Sequence, residues 1–219
     1  FTTFDEFYNA YKTQSNYFVS LLVNADNAVD QAHAERCPLP FLSSMIESCV
    51  KRGKSMQEGG AIYNFTGPQG FGIANVTDGL YAVKKLVFEQ KKYTLKEIKL
   101  ALQNNFGKDT DDRQAEKLTV KVCEKLAAEG RILSESDITS IYKAVKTNAC
   151  TEEQKRAYNA IYEDIAALPK YGNDDEDIDA FAREVAYIYT KEIEKYRNPR
   201  GGRFQAGLYP VSANEIGRA

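Results

Sequence analysis

The stretch GGAIYNFTGPQGFGIANVTDGLYAVKKLVFE, residues 59–89, says more about the fold than any other part of the chain. It opens with five glycines within fourteen positions and continues into a run whose apolar residues recur at helical spacing. Glycines this dense indicate unusual backbone dihedral angles or a close approach by another part of the molecule. We therefore expect a short strand over residues 61–65, a tight corner around Pro68 and a helix from Ile73.

The same glycines allow a second interpretation. Backbone N–H groups before a helix can bind an anion. The spacing is not G-x-G-x-x-G, however, and no Gly-Lys-Ser/Thr follows, so a nucleotide phosphate loop is excluded. We favour the tight strand-to-helix corner, and anion binding stays open.

A second informative stretch is RGGRFQAGLYPVSAN, residues 200–214, which alternates like a short strand. Its first face carries Gln205, Gly207, Tyr209, Val211 and Ala213, and its second face carries Phe204, Ala206, Leu208 and Ser212. The second face is typical of packing against helices. The first combines small residues with one phenol, which suits the wall of a pocket for a small polar substrate or, equally, a core tyrosine bonded to backbone. Pro210 cannot donate to a ladder, so the strand is disturbed there or lies at an edge.

The remaining chain is predicted to be helical. Apolar periodicity and capping signals indicate helices over residues 4–34, 40–52, 73–89, 94–105, 110–128, 136–146, 151–167 and 174–196. Thr94 with Glu97 and Thr151 with Gln154 form predicted capping boxes, Ser136 is the predicted cap of its helix, and NPRGG (198–202) stops the last helix. In the helix over residues 110–128, we expect Leu118, Val122 and Leu126 to face inward. The two short strands would need partners outside this sequence. The first and last residues resemble neither a signal peptide nor a closing element, and we expect the chain to be an internal fragment.

Composition narrows the classes of function. The net charge of −2 gives no reason to expect a nucleic acid or an anionic membrane as partner, and no eighteen-residue apolar run is present. Four cysteines (Cys37, Cys49, Cys123 and Cys150) lack zinc or thioredoxin spacing and suit a reducing cytoplasm. The lone histidine, His33, argues against a histidine-based catalytic triad.

The acidic run at residues 174–179 has two interpretations. Clustered carboxylates suggest calcium, but the run lacks the ligand spacing and central glycine of an EF-hand loop. Carboxylates in the first turn of a helix also complement its dipole, and we favour that role.

Four blocks of the sequence resemble glycyl radical enzymes, the superfamily of pyruvate formate-lyase and the diol dehydratases. They are CPLPFLSSMIESCVKRGK (37–54), the stretch at 59–88, LPKYGNDDEDIDAFAREV (168–185) and RGGRFQAGLYPVSAN (200–214), in the family's order. The last block is most similar to the dehydratase and C–N lyase branch.

The resemblance implies an α/β fold, with residues 1–219 forming a helix-dominated internal part of one pyruvate formate-lyase domain. That domain is a ten-stranded α/β barrel, to which this part adds two short strands. Residues 107–150 look like a helical insertion. The strand that matches the family's substrate wall would place Tyr209, Val211 and Ala213 at the substrate.

The implied reaction eliminates water or an amine from a small hydroxylated substrate by thiyl-radical hydrogen abstraction. The Gly-Cys-x-Glu and Arg-Val-x-Gly blocks that carry the catalytic Cys, its Glu partner and the radical Gly are absent from this sequence, so the fragment alone is expected to be inert. The chain itself would bind no cofactor. An activating enzyme with an iron–sulfur cluster and S-adenosylmethionine would generate the radical in a cytoplasmic homodimer. The alternatives are a formate acetyltransferase, an arylacetate decarboxylase or a non-catalytic helical binding module.

Overall fold

The computed structural model describes residues 1–108, 112–146 and 150–208. The α-helices in these residues are α1 (Phe4–Arg36), α2 (Pro40–Ser44), α3 (Cys49–Arg52), α4 (Ile73–Val83), α5 (Leu95–Gln103), α6 (Asp112–Ala128), α7 (Glu135–Lys146), α8 (Glu152–Ala167) and α9 (Glu176–Ile193). Single 3₁₀ turns occupy Met56–Glu58 and Asn105–Gly107, and α4 runs on into a π-helical segment, Lys84–Glu89.

Most of the predicted helices are confirmed, together with the signals that begin them. Thr94 and Thr151 each close a capping box, with Glu97 and Gln154 respectively. In the acidic run, the Asp175 carboxylate caps α9 by accepting hydrogen bonds from the N–H groups of the second and third helical residues. The helix-dipole interpretation of that run therefore holds.

The helix expected over residues 40–52 is wrong as one element, because it divides into α2 and α3. Ser48, between them, adopts a left-handed backbone with φ of 73°. Two contacts made outside the segment explain the break. Ser43 Oγ accepts a hydrogen bond of 3.0 Å from Met56 N, and Ser48 Oγ donates one of 3.1 Å to Gly60 O. Tertiary hydrogen bonds here override an apolar repeat that is regular along the sequence.

The chain divides into two units, the first of which comprises residues 1–81 and 169–208 of the described part. Here α1 packs along α9. One apolar cluster consists of Leu80, Tyr81, Ile178, Phe181 and Val185, with aromatic residues from the start of α1 around it. A second consists of Val19, Val23, Ile193 and Phe204.

The second unit, residues 82–168, has its own core where α5 meets α8. Its buried residues are Ile98, Ala101 and Ile161, bordered by Val87, Tyr93, Phe106, Tyr158 and Ile165. At the edge of this core the Tyr93 hydroxyl donates to the Asp164 carboxylate, which also pairs with Lys92 Nζ at 2.6 Å. Burial and this carboxylate raise the pKa of Tyr93 to about 12.

Two expectations for the α6–α7 pair are wrong. Leu118 and Val122 were expected to point inward, but they are 39% and 38% exposed, and Ala115 and Thr119 are buried instead. Helix α7 is capped by Ser134 rather than Ser136, because Ser134 and Asp137 exchange side-chain to backbone hydrogen bonds of 2.9 and 3.2 Å. The cap lies two positions before the predicted one, and the buried pair Ala115 and Thr119 lies three positions before the predicted pair Leu118 and Val122.

The two predicted strands do not form as strands within the described residues. Two isolated parallel bridges take their place, Thr66 with Phe204 and Gln69 with Gly207. Pro68 lies between the two bridges and has no N–H to donate, and a short two-stranded pair is marginal without further strands.

The first testable prediction concerns the cap of α5. Thr94→Ala removes the hydroxyl that accepts from Glu97 N at 3.2 Å and should lower the free energy of unfolding by about 1 kcal/mol. Thr139→Ala, which deletes the same atoms from an exposed position inside α7, is the matched control and should stay within about 0.5 kcal/mol of the parent. Urea titration of both variants measures the difference, and equal effects would contradict the capping role.

Candidate functional site

The candidate site is the junction between the glycine-rich loop (residues 59–72) and the terminal segment (residues 198–208). Thr66 N donates to Arg203 O at 3.1 Å, and Gln205 N donates to Thr66 O at 2.9 Å. Gly207 N donates to Pro68 O at 3.1 Å, and Gly70 N donates to Gly207 O at 2.7 Å. The terminal segment is thus fixed in register on the loop immediately before residue 209. The Gly70 N–H is hydrogen-bonded to Gly207 O and so cannot also bind an anion, which supports the interpretation of the glycines as a tight corner.

A polar cluster centred on the Thr66 hydroxyl joins three separate parts of the chain. Thr66 Oγ1 accepts hydrogen bonds of 2.9 Å from both Asn198 Nδ2 and Arg200 Nη2, and it lies 3.5 Å from Asp30 Oδ2 on α1. Arg200 Nε pairs with the same Asp30 oxygen at 3.0 Å, while its Nη2 also reaches Phe65 O at 3.0 Å. We call these four residues (Asp30, Thr66, Asn198 and Arg200) the Thr66 cluster.

Backbones approach so closely at the junction that glycine is required at some positions. A Cβ on Gly202 would overlap the carbonyl oxygen of Asn64, which is itself bonded by Asn198 Nδ2 at 2.5 Å. A Cβ on Gly70 would lie 2.8 Å from the ring of Tyr189. The hydroxyl of Tyr189 donates to Pro68 O at 2.6 Å, so this ring braces the corner from α9.

The terminal segment alternates as far as it is described. Phe204 is 1% exposed and packs with Ala206 in the second apolar cluster of the first unit, while Gln205 on the opposite face is exposed. Leu208 departs from its expected packing, since it is 49% exposed. The predicted substrate-wall residues Tyr209, Val211 and Ala213 lie outside the described residues and stay predictions.

Burial shifts the pKa of two groups beside the cluster. The pKa of Asp26 is raised above 3.8 by burial and, secondarily, by the charge of Asp30 one turn further along α1. The pKa of Tyr189 is raised by burial first and by Asp26 second. The charged form of Asp26 is therefore disfavoured in the folded protein relative to water.

Other parts of the described chain are weaker candidates for a functional site than the junction. A groove of about 450 Å³ between α1 and α9 mixes Lys12 and Lys191 with Glu184 and Glu192, so it presents no single charge for a substrate to match. No group of three or more His, Cys, Asp or Glu that could hold a metal ion occurs in the residues that the structure describes. In the same residues, no helix is long and apolar enough to cross a membrane.

Sequence reasoning located both segments of the junction but missed three members of the cluster. Asp30 sits on the polar side of a long helix among many other charges, so nothing in the sequence distinguishes it. Asn198 and Arg200 belong to NPRGG, which was interpreted as a helix stop, and Arg200 also begins the family block at 200–214, but neither side chain was given a role. The available signal was an asparagine and an arginine on either side of a proline, next to the glycines of a close backbone contact.

Comparison with known proteins identifies the family. The family model described as pyruvate formate lyase-like matches residues 1–216. The chain belongs to this pyruvate formate lyase-like family. It spans only about a fifth to a quarter of the length of the relatives that follow.

Three relatives show where in the pyruvate formate lyase-like family the similarity lies. A structure addressing 1,2-propanediol dehydration in Roseburia inulinivorans is 52% identical with a TM-score of 0.81, over 98% of this chain and 26% of that one. The glycerol-bound B12-independent glycerol dehydratase of Clostridium butyricum is 40% identical with a TM-score of 0.66, over 96% and 20%. The (2S)-3-sulfopropanediol dehydratase of Klebsiella oxytoca is 28% identical over 214 residues, 98% of this chain and 20% of that protein.

The second prediction tests the close approach at the junction. Gly202→Ala places a methyl group against Asn64 O and should destabilise the fold by about 1–3 kcal/mol. Gly79→Ala is the control, because no atom lies within 4 Å of its added Cβ in the middle of α4. The control should stabilise by up to about 1 kcal/mol through helix propensity. Thermal unfolding of the two variants gives opposite signs, and equal signs would contradict the packing.

The third prediction follows from the raised pKa of Asp26. The charged form is disfavoured in the folded state, so Asp26 lowers stability as the pH rises from the unfolded pKa through the folded pKa. Asp26→Asn should therefore raise the free energy of unfolding at pH 7, and the gain should vanish at a pH below both values. Glu47→Gln, at an exposed carboxylate, is the control in the same pH series. A gain that does not depend on pH would contradict the assignment.

Proposed function

We propose that this chain is part of a glycyl radical dehydratase that eliminates water from a small vicinal diol. The observation that carries the proposal is the high identity, over nearly the whole chain, to structures concerned with the dehydration of propane-1,2-diol and of glycerol. The three relatives described above are all named for dehydration. Arylacetate decarboxylases also match this chain, but at 25% and 27% identity, which is well below the 52% and 40% of the two structures concerned with propane-1,2-diol and glycerol. Dehydration is therefore preferred to the arylacetate decarboxylase, and the three relatives give no reason to prefer a formate acetyltransferase or a non-catalytic binding module.

The proposed reaction removes a hydroxyl group from a carbon next to a second carbon–oxygen bond. Propane-1,2-diol would give propanal and water, so the atoms balance without an external oxidant or reductant. The catalytic Cys, its Glu partner and the radical Gly would be supplied by the complete protein. A separate activating enzyme with an iron–sulfur cluster and S-adenosylmethionine would generate the radical.

Within this proposal the chain contributes one wall of the substrate pocket and its support. Tyr209, Val211 and Ala213 would face the diol, with the Tyr209 phenol bonding a substrate hydroxyl and the two small side chains leaving room for it. The parallel bridges of the junction would be the beginning of two barrel strands, completed by the rest of the ten-stranded α/β barrel. Residues 107–150 would be a helical insertion, and the whole would act as a cytoplasmic homodimer.

The function is tested with the complete reading frame that contains residues 1–219, activated without oxygen. We expect a glycyl radical doublet in electron paramagnetic resonance and conversion of propane-1,2-diol to propanal. Glycerol should also react, whereas trans-4-hydroxyproline and arylacetates should react at least about a hundredfold more slowly in kcat/KM, a difference of the size that mismatched polar groups produce. A protein that carries the radical but leaves both diols unchanged would refute the proposal.

The fourth prediction concerns the pocket wall. Tyr209→Phe removes the proposed hydrogen bond to the substrate and should lower kcat/KM for the diol about tenfold or more, the cost of leaving one polar group unpaired. Tyr17→Phe, at a tyrosine that is 58% exposed on α1, is the matched control and should behave as the parent. Steady-state kinetics normalised to radical content measures both, and an unchanged kcat/KM for Tyr209→Phe would remove this residue from the pocket.

A further inference from the structure

Thr66 makes more hydrogen bonds to the terminal segment than any other single residue of the glycine-rich loop that the structure describes, and every polar atom it has is engaged. Its backbone N–H and C=O bond to Arg203 and Gln205. Its hydroxyl accepts from Asn198 and Arg200 at 2.9 Å and faces the Asp30 carboxylate at 3.5 Å. A hydroxyl has one donor and two acceptor positions, so this one is fully used.

The cluster around this hydroxyl is largely shielded from solvent, and its side chains each have several hydrogen-bond partners. Asn198 is 5% exposed, and its amide is used at both ends, with Oδ1 accepting from Gly202 N at 2.8 Å. The Arg200 and Asp30 side chains are only 18% and 21% exposed. Arginine presents its donors in a fixed fork, so bonding Asp30, Phe65 and Thr66 together leaves the guanidinium little freedom.

The terminal segment leaves this cluster towards the proposed pocket wall over a short distance. Gly207 is held on both sides, by Pro68 O and by Gly70 N. Tyr209 follows two residues later, at most about 7 Å along an extended chain. Within the proposed function, a shift of the register at residues 203–207 would therefore displace the residues proposed to face the diol.

We propose that the Thr66 hydroxyl is a positioning group that fixes the register of the terminal segment on the glycine-rich loop. Through that register it affects diol binding and the preference between the diol's enantiomers without touching the substrate. This inference rests on the proposed function. It assigns a role to a threonine whose environment is a polar cluster rather than the pocket. The part-exposed Asp30–Arg200 ion pair would by itself stabilise the fold only modestly. The Thr66 hydroxyl accepts a hydrogen bond from Arg200 and so connects this ion pair to the glycine-rich loop.

The test uses conservative variants of the complete activated enzyme. Thr66→Val keeps the shape and removes the hydroxyl, whereas Thr66→Ser keeps the hydroxyl and removes a methyl group. Thr77→Val is the control for the substitution itself, because the Thr77 side chain is fully buried in α4 and its hydroxyl is without a hydrogen-bond partner in the described structure. Arg200→Lys is a second probe should Thr66→Val fold poorly, since it keeps the charge but loses the fork.

The expected result is specific to positioning. Thr66→Val and Arg200→Lys should raise KM for propane-1,2-diol about tenfold and change the ratio of kcat/KM between the two enantiomers at least about threefold. Thr66→Ser and Thr77→Val should stay within about twofold of the parent. Loss of folded enzyme alone would lower the active fraction for both enantiomers equally, so an unchanged KM and enantiomer ratio in Thr66→Val and Arg200→Lys would overturn the proposal.

A second readout separates this inference from the proposed function. Amide hydrogen exchange of the peptide containing Gln205 and Gly207 should be at least about tenfold faster in Thr66→Val than in the parent and unchanged in Thr77→Val. Unchanged exchange in Thr66→Val would overturn the role of the hydroxyl even if the enzyme is a diol dehydratase. If the parent carries the radical but does not convert the diol, the proposed function is refuted. Faster exchange in Thr66→Val would in that case still show that the hydroxyl stabilises the terminal segment on the loop.

Discussion

The structure of the first unit depends on the parallel pairing between the glycine-rich loop and the terminal segment. Four backbone hydrogen bonds join residues 66–70 to residues 203–207. Beside them, the Gly202 backbone lies against Asn64 with no room for a side chain in between. Since the two segments are far apart in the sequence, this pairing also fixes where α9 ends relative to the start of α4. The apolar cluster around Phe204 and Ile193 packs against one side of the pairing, and the Thr66 cluster closes it on another.

Local sequence signals predicted this fold well wherever a short-range interaction decides the structure. The capping boxes at Thr94 and Thr151 were correctly located, because each depends on residues within three positions of one another. The acidic run was likewise correctly assigned to the start of α9, although Asp175 was not predicted to be its cap. The division between α2 and α3 could not be predicted. It is caused by Ser43 and Ser48 bonding to residues 56–60, and a periodicity within residues 40–52 contains no information on those partners.

The candidate site shows the same limit at longer range. The glycines and the alternation around Phe204 marked both halves of the junction, because unusual composition is visible in a single sequence. The Thr66 cluster was not visible, since Asp30 and Arg200 are ordinary charged residues until the fold brings them to 3.0 Å. The substrate-wall residues came from the family resemblance together with the period-two pattern, and they stay predictions.

The direction of the bridges bears on the architecture of the complete protein. Antiparallel neighbours can be joined by a tight turn, but parallel neighbours need a crossover connection, usually helical. Both bridges of the junction are parallel, and the chain between them consists mainly of helices from α4 to α9. Parallel segments joined through helices fit the α/β fold that we propose for the complete protein. The parallel bridges therefore support the proposal that loop and terminal segment are two neighbouring strand positions of a barrel.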